Sequence, residues 1–506
     1  MNKRYGILLL LFLLIAGGVP LLAQPTGPSQ PVDFTADSLV VRQEGGDEVN
    51  ELWGNVRIDQ GEVHIRSNRA TYFRSSSRAV LVGNVVVTQP GTRLYASRAE
   101  YSGQSKVAVA PNGITIREDD GATLTASYGE YDMGLRKASF RNGVKLVEKN
   151  ATLRAATGDY YSIERRALFR GGVRVESDSG NIVARELTYW RDSQETFAVG
   201  SVVLTPKGRE ARLTGDTLRH QPAIGYSVAL GSPRLVDIDT STTDGAIRWD
   251  TVVITSQRME AFRGGGSQEY VATGDVRLRR SELQATSAIS RYLPGSSVIA
   301  LGSGGKRSAT SDAPDTAAVT GETPPPSSSG RAPGMPIVWY KEAQLTGDTI
   351  TIGLFEKKLR SIDAFGNAFA VSEGKSEKRY DQFAGVRLVL DVLRDTVRQV
   401  RSEGEASSIY FAYREERPDG VNRSSGDTIR VGFRAGKASR VHIRGGAARA
   451  EGEYFPEPMV AGQEETYRLR GFRWYDHDDR AEKLNGTLPK APTIPASPPP
   501  IEDQEK

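Results

Sequence analysis

One pattern recurs along this chain with little variation. It reads GNVRIDQGEVHIRSNRATY at Gly54–Tyr72 and GNVVVTQPGTRLYASRAEY at Gly83–Tyr101, then NGVKLVEKNATLRAATGDY at Asn142–Tyr160 and GGVRVESDSGNIVARELTY at Gly171–Tyr189. Its opening glycines, Gly54, Gly83, Gly113, Gly143, Gly172, Gly200 and Gly231, follow one another at intervals of 29, 30, 30, 29, 28 and 31 residues. Further on stands an aliphatic anchor (Ile65, Leu94, Leu124, Leu153, Ile182, Leu213). Two positions later comes a small residue (Ser67, Ala96, Ala126, Ala155, Ala184, Gly215), and seven positions after the anchor a tyrosine (Tyr72, Tyr101, Tyr131, Tyr160, Tyr189), replaced in the sixth copy by His220. A unit this short cannot bury its own apolar face, so neighbouring units must cover it. Alternation at period two makes the units strands rather than helices.

Each copy reads as a β-hairpin, with length variation confined to turns such as Pro90-Gly91 and Asp178-Ser179-Gly180. The opening glycines permit a bulge or bend. Small mid-strand residues allow close approach of another backbone. The tyrosines predict a ladder of stacked rings with hydroxyls reaching solvent. The frame continues at Ile254, Leu283, Leu345, Phe383 and Ser424, with "LTGDTL", "LTGDTI" and "SSGDTI" opening strands at Leu213, Leu345 and Ser424. In these later copies the next glycine (Gly366, Gly404, Gly445) comes fourteen residues after the second apolar anchor, which predicts longer hairpins.

The flanks define the domain boundaries. Asn2-Lys3-Arg4, the apolar run Ile7–Ile15 and the break at Gly17, Gly18 and Pro20 read as a secretory signal peptide over 1–23, with a mature start near Gln24. Retention of that segment as an anchor is the alternative. Repeats then fill 24–302 and 336–475. The stretch 303–335, rich in Ser, Gly and Pro, reads as a disordered insertion, and 476–506 as a Pro-rich tail. Joining "IALGS" to "PIVWY" across the insertion reproduces "VALGSPRLVD", so the insertion falls within one repeat.

The 506 residues carry 66 Lys and Arg against 62 Asp and Glu, a net charge of +4, which gives no indication of nucleic acid. Most arginines read as solvated on strand faces. The absence of cysteine excludes disulfides and thiolate-ligated metal. The four histidines (His64, His220, His442, His477) lack metal-ligand spacing. No phosphate loop or nucleophile elbow is present. The reading is therefore no enzyme, no cofactor and no metal site.

Val32–Tyr72, with its Ala36-Asp37 strand, its "GNVRI" strand and its I-x-S-x-x-A strand at Ile65, resembles the OstA-like domain. That domain is shared by the lipopolysaccharide-transport proteins LptA and LptC and by the N-terminal region of LptD. The resemblance is good over about 32–235 and weaker over 250–475. It implies an all-β, elongated, half-open β-jelly-roll, a solenoid-like stack whose interior groove carries acyl chains of lipopolysaccharide across the periplasm to the outer membrane. The groove candidates are Val56, Ile65, Val85, Leu94, Leu124, Leu153, Ile182 and Leu213. Implied partners are lipopolysaccharide or a related lipid, other OstA-like proteins or copies of this chain stacked end to end through edge strands, and an LptD-type outer-membrane barrel. The chain is longer than a typical LptA, and after residue 475 no barrel strands remain. Two other readings stay open: a structural or interaction β-solenoid without lipid, and a polysaccharide-cleaving β-helix, for which no recurring acidic cluster is found.

Overall fold

The computed structural model describes residues 33–304 and 334–475, apart from positions 61, 209, 244–245, 265–266, 356–357, 375, 377, 416, 435–436 and 447–448. The segment 1–23 expected to be a leader, almost all of the expected insertion at 303–335, and the expected tail at 476–506 with His477 lie outside the described residues. The protein is nearly all β. It forms two compact units: residues up to Gly274 with Arg291–Gly295, and Asp275–Ser290 with residues from Ser296 onward.

In the first unit the strands run as an antiparallel meander. Asp47–Gln60 pairs with Val63–Phe73, which pairs with Arg78–Gln89, which pairs with Thr92–Ser102. Every second long strand is broken at its middle by the glycine that opens the sequence repeat. Gly54 and Asn55 have φ of 74° and 42°, Gly83 and Asn84 78° and 48°, Gly200 and Ser201 85° and 49°. Two left-handed residues in succession cannot stay in a pleated ladder, so the register jumps there, from Trp53↔Arg69 to Val56↔Ser67 and from Val82↔Arg98 to Val85↔Ala96. The same jump recurs between Arg141 and Val144, Arg170 and Val173, and Val199 and Val202. Stacked on one another, these bulges form a corner line that divides the sheet into two arms.

Four rows of side chains face inward. On the aliphatic arm, cross-strand neighbours run without interruption through Ile58, Ile65, Val87, Leu94, Ile116, Leu124, Leu146, Leu153, Val175, Ile182, Leu204, Leu213, Leu235 and Ile254. Next to the corner, a branched residue always opposes a small one: Val56 and Ser67, Val85 and Ala96, Val144 and Ala155, Val173 and Ala184, Val202 and Gly215. On the other arm Gly129, Phe140, Gly158 and Phe169, and then Leu187, Ala198, Leu218 and Ala229, alternate in the same way, with the two large residues Phe169 and Leu187 meeting between the two runs. A Cβ at Gly158 would sit 3.1 Å from the Phe169 ring, so the small residues make room for a neighbour's side chain. The outermost row of this arm alternates tyrosine with alanine: Tyr72, Ala79, Tyr101, Ala108, Tyr131, Ala138, Tyr160, Ala167 and Tyr189.

The tyrosines correct the sequence expectation. Tyr101, Tyr160 and Tyr189 are buried to 3%, 5% and 1% exposure, and each stands beside an alanine rather than stacked on the next ring. The Tyr101 hydroxyl meets no hydrogen-bond partner, and burial pushes this phenol's pKa up. The cause is the corner: it shifts the inward positions from i, i+2 to i+5, i+7, so the tyrosine lands on the same face as the anchor.

The second unit uses the same corner in longer strands, Lys358–Glu373, Tyr380–Leu393, Thr396–Arg414 and Arg417–Arg434. Gly366 with Asn367 and Gly404 with Glu405 form its corners. An aliphatic row passes through Ile299, Ile352, Ile362, Leu390, Val400, Val431 and Val441. Strands Val298–Gly302 and Ile337–Tyr340 flank the insertion. They pair with Thr349–Phe355 and Ala343–Thr346, which both pair with Lys358–Glu373, so the insertion leaves the sheet at a corner.

Strands of the second block end at Pro456. The chain then forms a short helix, Glu457–Val460, and returns over the outer face of one arm as an irregular strap ending at Tyr475. Two buried glutamines hold it. Gln344 donates Nε2 to the Arg473 carbonyl at 3.0 Å and accepts from the Tyr475 N–H at 3.1 Å. Gln382 donates to the Tyr467 carbonyl at 3.0 Å and accepts from the Leu469 N–H at 2.8 Å. Each amide thus replaces the backbone partners that a non-strand segment lacks. Arg379, 4% exposed, grips Glu457 at 2.9 and 2.6 Å and Glu464 at 3.2 Å.

Candidate functional site

All eight groove candidates face the interior of the first unit. Ile65, Leu94, Leu124, Leu153, Ile182 and Leu213 are alternate members of the fourteen-residue aliphatic row, and Val56 and Val85 stand in the row beside the corner. Val56, Ile65, Val85, Leu124, Leu153 and Ile182 are buried, while Leu94 and Leu213 keep partial exposure. From Ile116 to Val202 the rows of both arms merge into one core cluster, with Leu94, Ile114, Tyr131, Leu204 and Leu218 packed at its margin. Sequence reasoning missed the intervening members, Val87, Ile116, Leu146, Val175, Leu204 and Leu235. They alternate along their own strands, and only the cross-strand register joins them to the anchors.

The interior carries few polar groups. Near the tip of the aliphatic arm, burial pushes Glu148 up to about 8, with Asp120 and Glu118 adding like-charge repulsion. His220 fills a tyrosine slot, contacts Ser227 Oγ at 2.9 Å, and is held below its usual range by burial and by Arg263. Among the described residues no group of three or more His, Asp or Glu side chains is placed to hold a metal ion.

The outer faces of the two arms differ in charge. On the tyrosine arm the charges are matched. Glu100 receives Arg78 at 2.9 Å and Arg98 at 2.8 Å. Asp159, only 5% exposed, is opposed by burial, yet Ser139 at 2.8 Å, Arg141 and Arg170 at 3.0 Å and Lys137 at 3.3 Å hold its carboxyl below the usual range. On the aliphatic arm the outer rows place cations side by side: Arg57↔Arg66, Arg93↔Arg117, Lys145↔Arg154 and Arg154↔Arg174, all exposed. The acids of these rows, Asp59 and Glu176, are taken by His64 at 2.6 Å and Arg154 at 3.5 Å.

The class that this geometry defines is an all-β protein of stacked antiparallel rungs, bent at a common corner around an aliphatic interior. Residues 34–184 match the family of OstA-like proteins, so this stretch is an OstA-like region. Ninety-two residues are 32% identical to the LPS-assembly protein LptD of Saccharophagus degradans, covering 18% of this chain and 10% of that protein. The chain therefore spans about a tenth of that relative's length. Among solved structures, LptH of Pseudomonas aeruginosa, described as the LptA-homologous periplasmic component of the lipopolysaccharide transport device, aligns at 14% identity over 34% of this chain and 82% of that chain. Its TM-score is 0.14, too low to define a shared fold.

Proposed function

We propose that this chain is a non-catalytic periplasmic carrier in lipopolysaccharide transport and outer-membrane assembly, with acyl chains lying against the inner face of the first unit. One observation carries the reading: fourteen consecutive cross-strand positions on that face are Ile, Leu or Val, beside a row thinned by Ser67, Ala96, Ala126, Ala155, Ala184 and Gly215. A continuous apolar track with small residues alongside suits a long hydrocarbon chain, which needs length and no polar partner. The OstA-like region and the names of the relatives support the same reading.

The first rung supports stacking with other OstA-like proteins, with an LptD-type barrel or with further copies of this chain. Among the described residues Ser38–Glu44 pairs on one side only, with Asp47–Gln60, and exposes Leu39, Val40 and Val41 (50%, 44% and 58%), leaving a strand edge for another chain. A scaffold without lipid is the second reading, since much of the interior is packed by the protein's own side chains.

Extraction of the purified protein followed by mass spectrometry separates the two. The carrier reading expects acylated saccharolipid in the extract, and Leu94→Asp, at a half-buried margin position, to lower its recovery severalfold while the β spectrum is unchanged. An extract free of acyl lipid from protein purified without detergent decides for the scaffold.

A further inference from the structure

The aliphatic arm's outer face has a surplus of positive charge that the fold does not need. Cross-strand neighbours stand about 4.5–5.5 Å apart at Cβ, and like charges there repel. The tyrosine arm instead sets Glu100 and Asp159 among its cations, so the contrast belongs to this face and not to strand chemistry in general. Arg57, Arg66, Arg93, Lys145 and Arg174 make no ion pair among the described residues.

Within this face, beside the corner, lies a cavity of about 710 Å³. It forms where Pro111-Asn112-Gly113 splits one rung into Val107–Ala110 and Ile114–Glu118. Its polar lining consists of Asn84, Tyr95, Ser97, Thr115, Thr125 and Ser127, with Asn112 at the break, and contains no charged side chain. Cations surround it. Arg66 is the cross-strand neighbour of Val86 and Lys145 of Thr125, at opposite ends of the row that forms its wall. Arg117 lies 5.3 Å from the Tyr95 ring. Hydroxyls, amides and one aromatic face suit a polyol. Adjacent guanidiniums suit a phosphate, which they bind with charge-assisted hydrogen bonds.

We propose that this face binds a phosphate-bearing oligosaccharide, with sugar in the Tyr95 cavity and phosphate bridging Arg93 and Arg117 or their neighbours. The anion relieves the repulsion between the paired cations. The proposal is independent of the acyl-lipid reading, because its ligand needs no hydrocarbon.

The test is calorimetric titration of the whole protein with phosphorylated oligomannose, with the same oligosaccharide after phosphatase treatment, with inorganic phosphate, and with phosphatidylglycerol vesicles. The phosphorylated sugar is expected to bind most tightly and to weaken about tenfold or more in Arg93→Gln/Arg117→Gln. Tyr95→Ala should weaken the sugar without changing the response to inorganic phosphate. Arg78→Gln, on the ion-paired arm, should leave binding unchanged. Equal affinity for the dephosphorylated sugar, equal affinity for inorganic phosphate, or binding to vesicles alone each overturns the proposal. Because the probe carries no acyl chain, its result stands whichever way the lipid extraction falls.

Discussion

The two units close the same bent sheet in different ways. In the first unit the outer face of the tyrosine arm meets solvent, and clusters such as those around Glu100 and Asp159 keep its charges matched. In the second it is the outer face of the other arm, the register counterpart of the basic face, that is apolar or amide-bearing (Trp339, Gln344, Val371, Gln382, Ile409) and covered by the strap. Both keep the corner, but the branched row Ile352, Ile362, Leu390, Val400 and Val431 of the second unit fills the register slots in which tyrosine and alanine alternate in the first. A repeat therefore dictates the corner and which positions face inward, while the outer face is free to be charged and wet or covered and dry.

The largest expected effect separates the two kinds of closure. Arg379→Ala strips the partner from Glu457 and Glu464 and should cost about 3 kcal/mol, the lower end for a broken buried pair because Glu457 keeps 27% side-chain exposure. Arg78→Ala in the first unit removes a surface partner of Glu100 and should cost less than about 1 kcal/mol. Denaturant melts of the two variants test the contrast, and equal losses would remove it.

Gln344→Leu and Gln382→Leu should each cost about 1–3 kcal/mol, since the strap's carbonyls and N–H groups lose their partners. The effect should be local: amide exchange at Leu469 and Tyr475 should accelerate while that of the aliphatic rows holds.

The corners should respond alike in both units. Gly83→Ala (φ 78°) and Gly366→Ala (φ 75°) each place a Cβ in the left-handed region, at about 1–2 kcal/mol. Each also crowds a side chain across the corner, Asn68 at 2.6 Å or the carboxylate of Asp348. A large difference between their melting shifts would show that the corners are not equivalent.

A further contrast between the units comes from pH. Burial raises Glu148 of the first unit from 4.5 to about 8 and Asp381 of the second from 3.8 to about 7, the latter against an opposing hydrogen bond from the Phe411 N–H. Both groups hold their proton more tightly folded than unfolded. Stability is therefore highest below the unfolded pKa and falls as pH rises towards the folded value. Glu148→Gln should flatten the decline up to about pH 8, and Asp381→Asn the part that ends near pH 7, in melting points recorded from pH 4 to 9.

Sequence reading recovered the rows that repeat and missed what does not. The anchors from Ile65 to Leu213 recur at nearly constant spacing and do share one ladder. The tyrosines were turned the wrong way because strict alternation was carried through the corner, although the odd five-residue step from Ser67 to Tyr72 marks the change of face. The basic face was legible in part, since Arg57, Arg66, Arg93 and Arg117 sit at positions of opposite parity to the anchors. Their adjacency depends on pairing register. The strap had no periodic signal: Tyr467, Phe472, Trp474 and Tyr475 are irregularly spaced, and its glutamine partners lie 85 to 131 residues away.

The stacked corners also have a mechanical consequence. Ladder hydrogen bonds tie each arm into a stiff plate, but at every second strand two left-handed residues interrupt the pairing along the same line. Bending a plate costs its ladder; changing the angle between plates costs only torsion at glycines and their neighbours. Such an object resembles a book whose covers resist bending while its spine does not. It can take cargo of varying thickness by adjusting one angle, with every rung still bonded to the next.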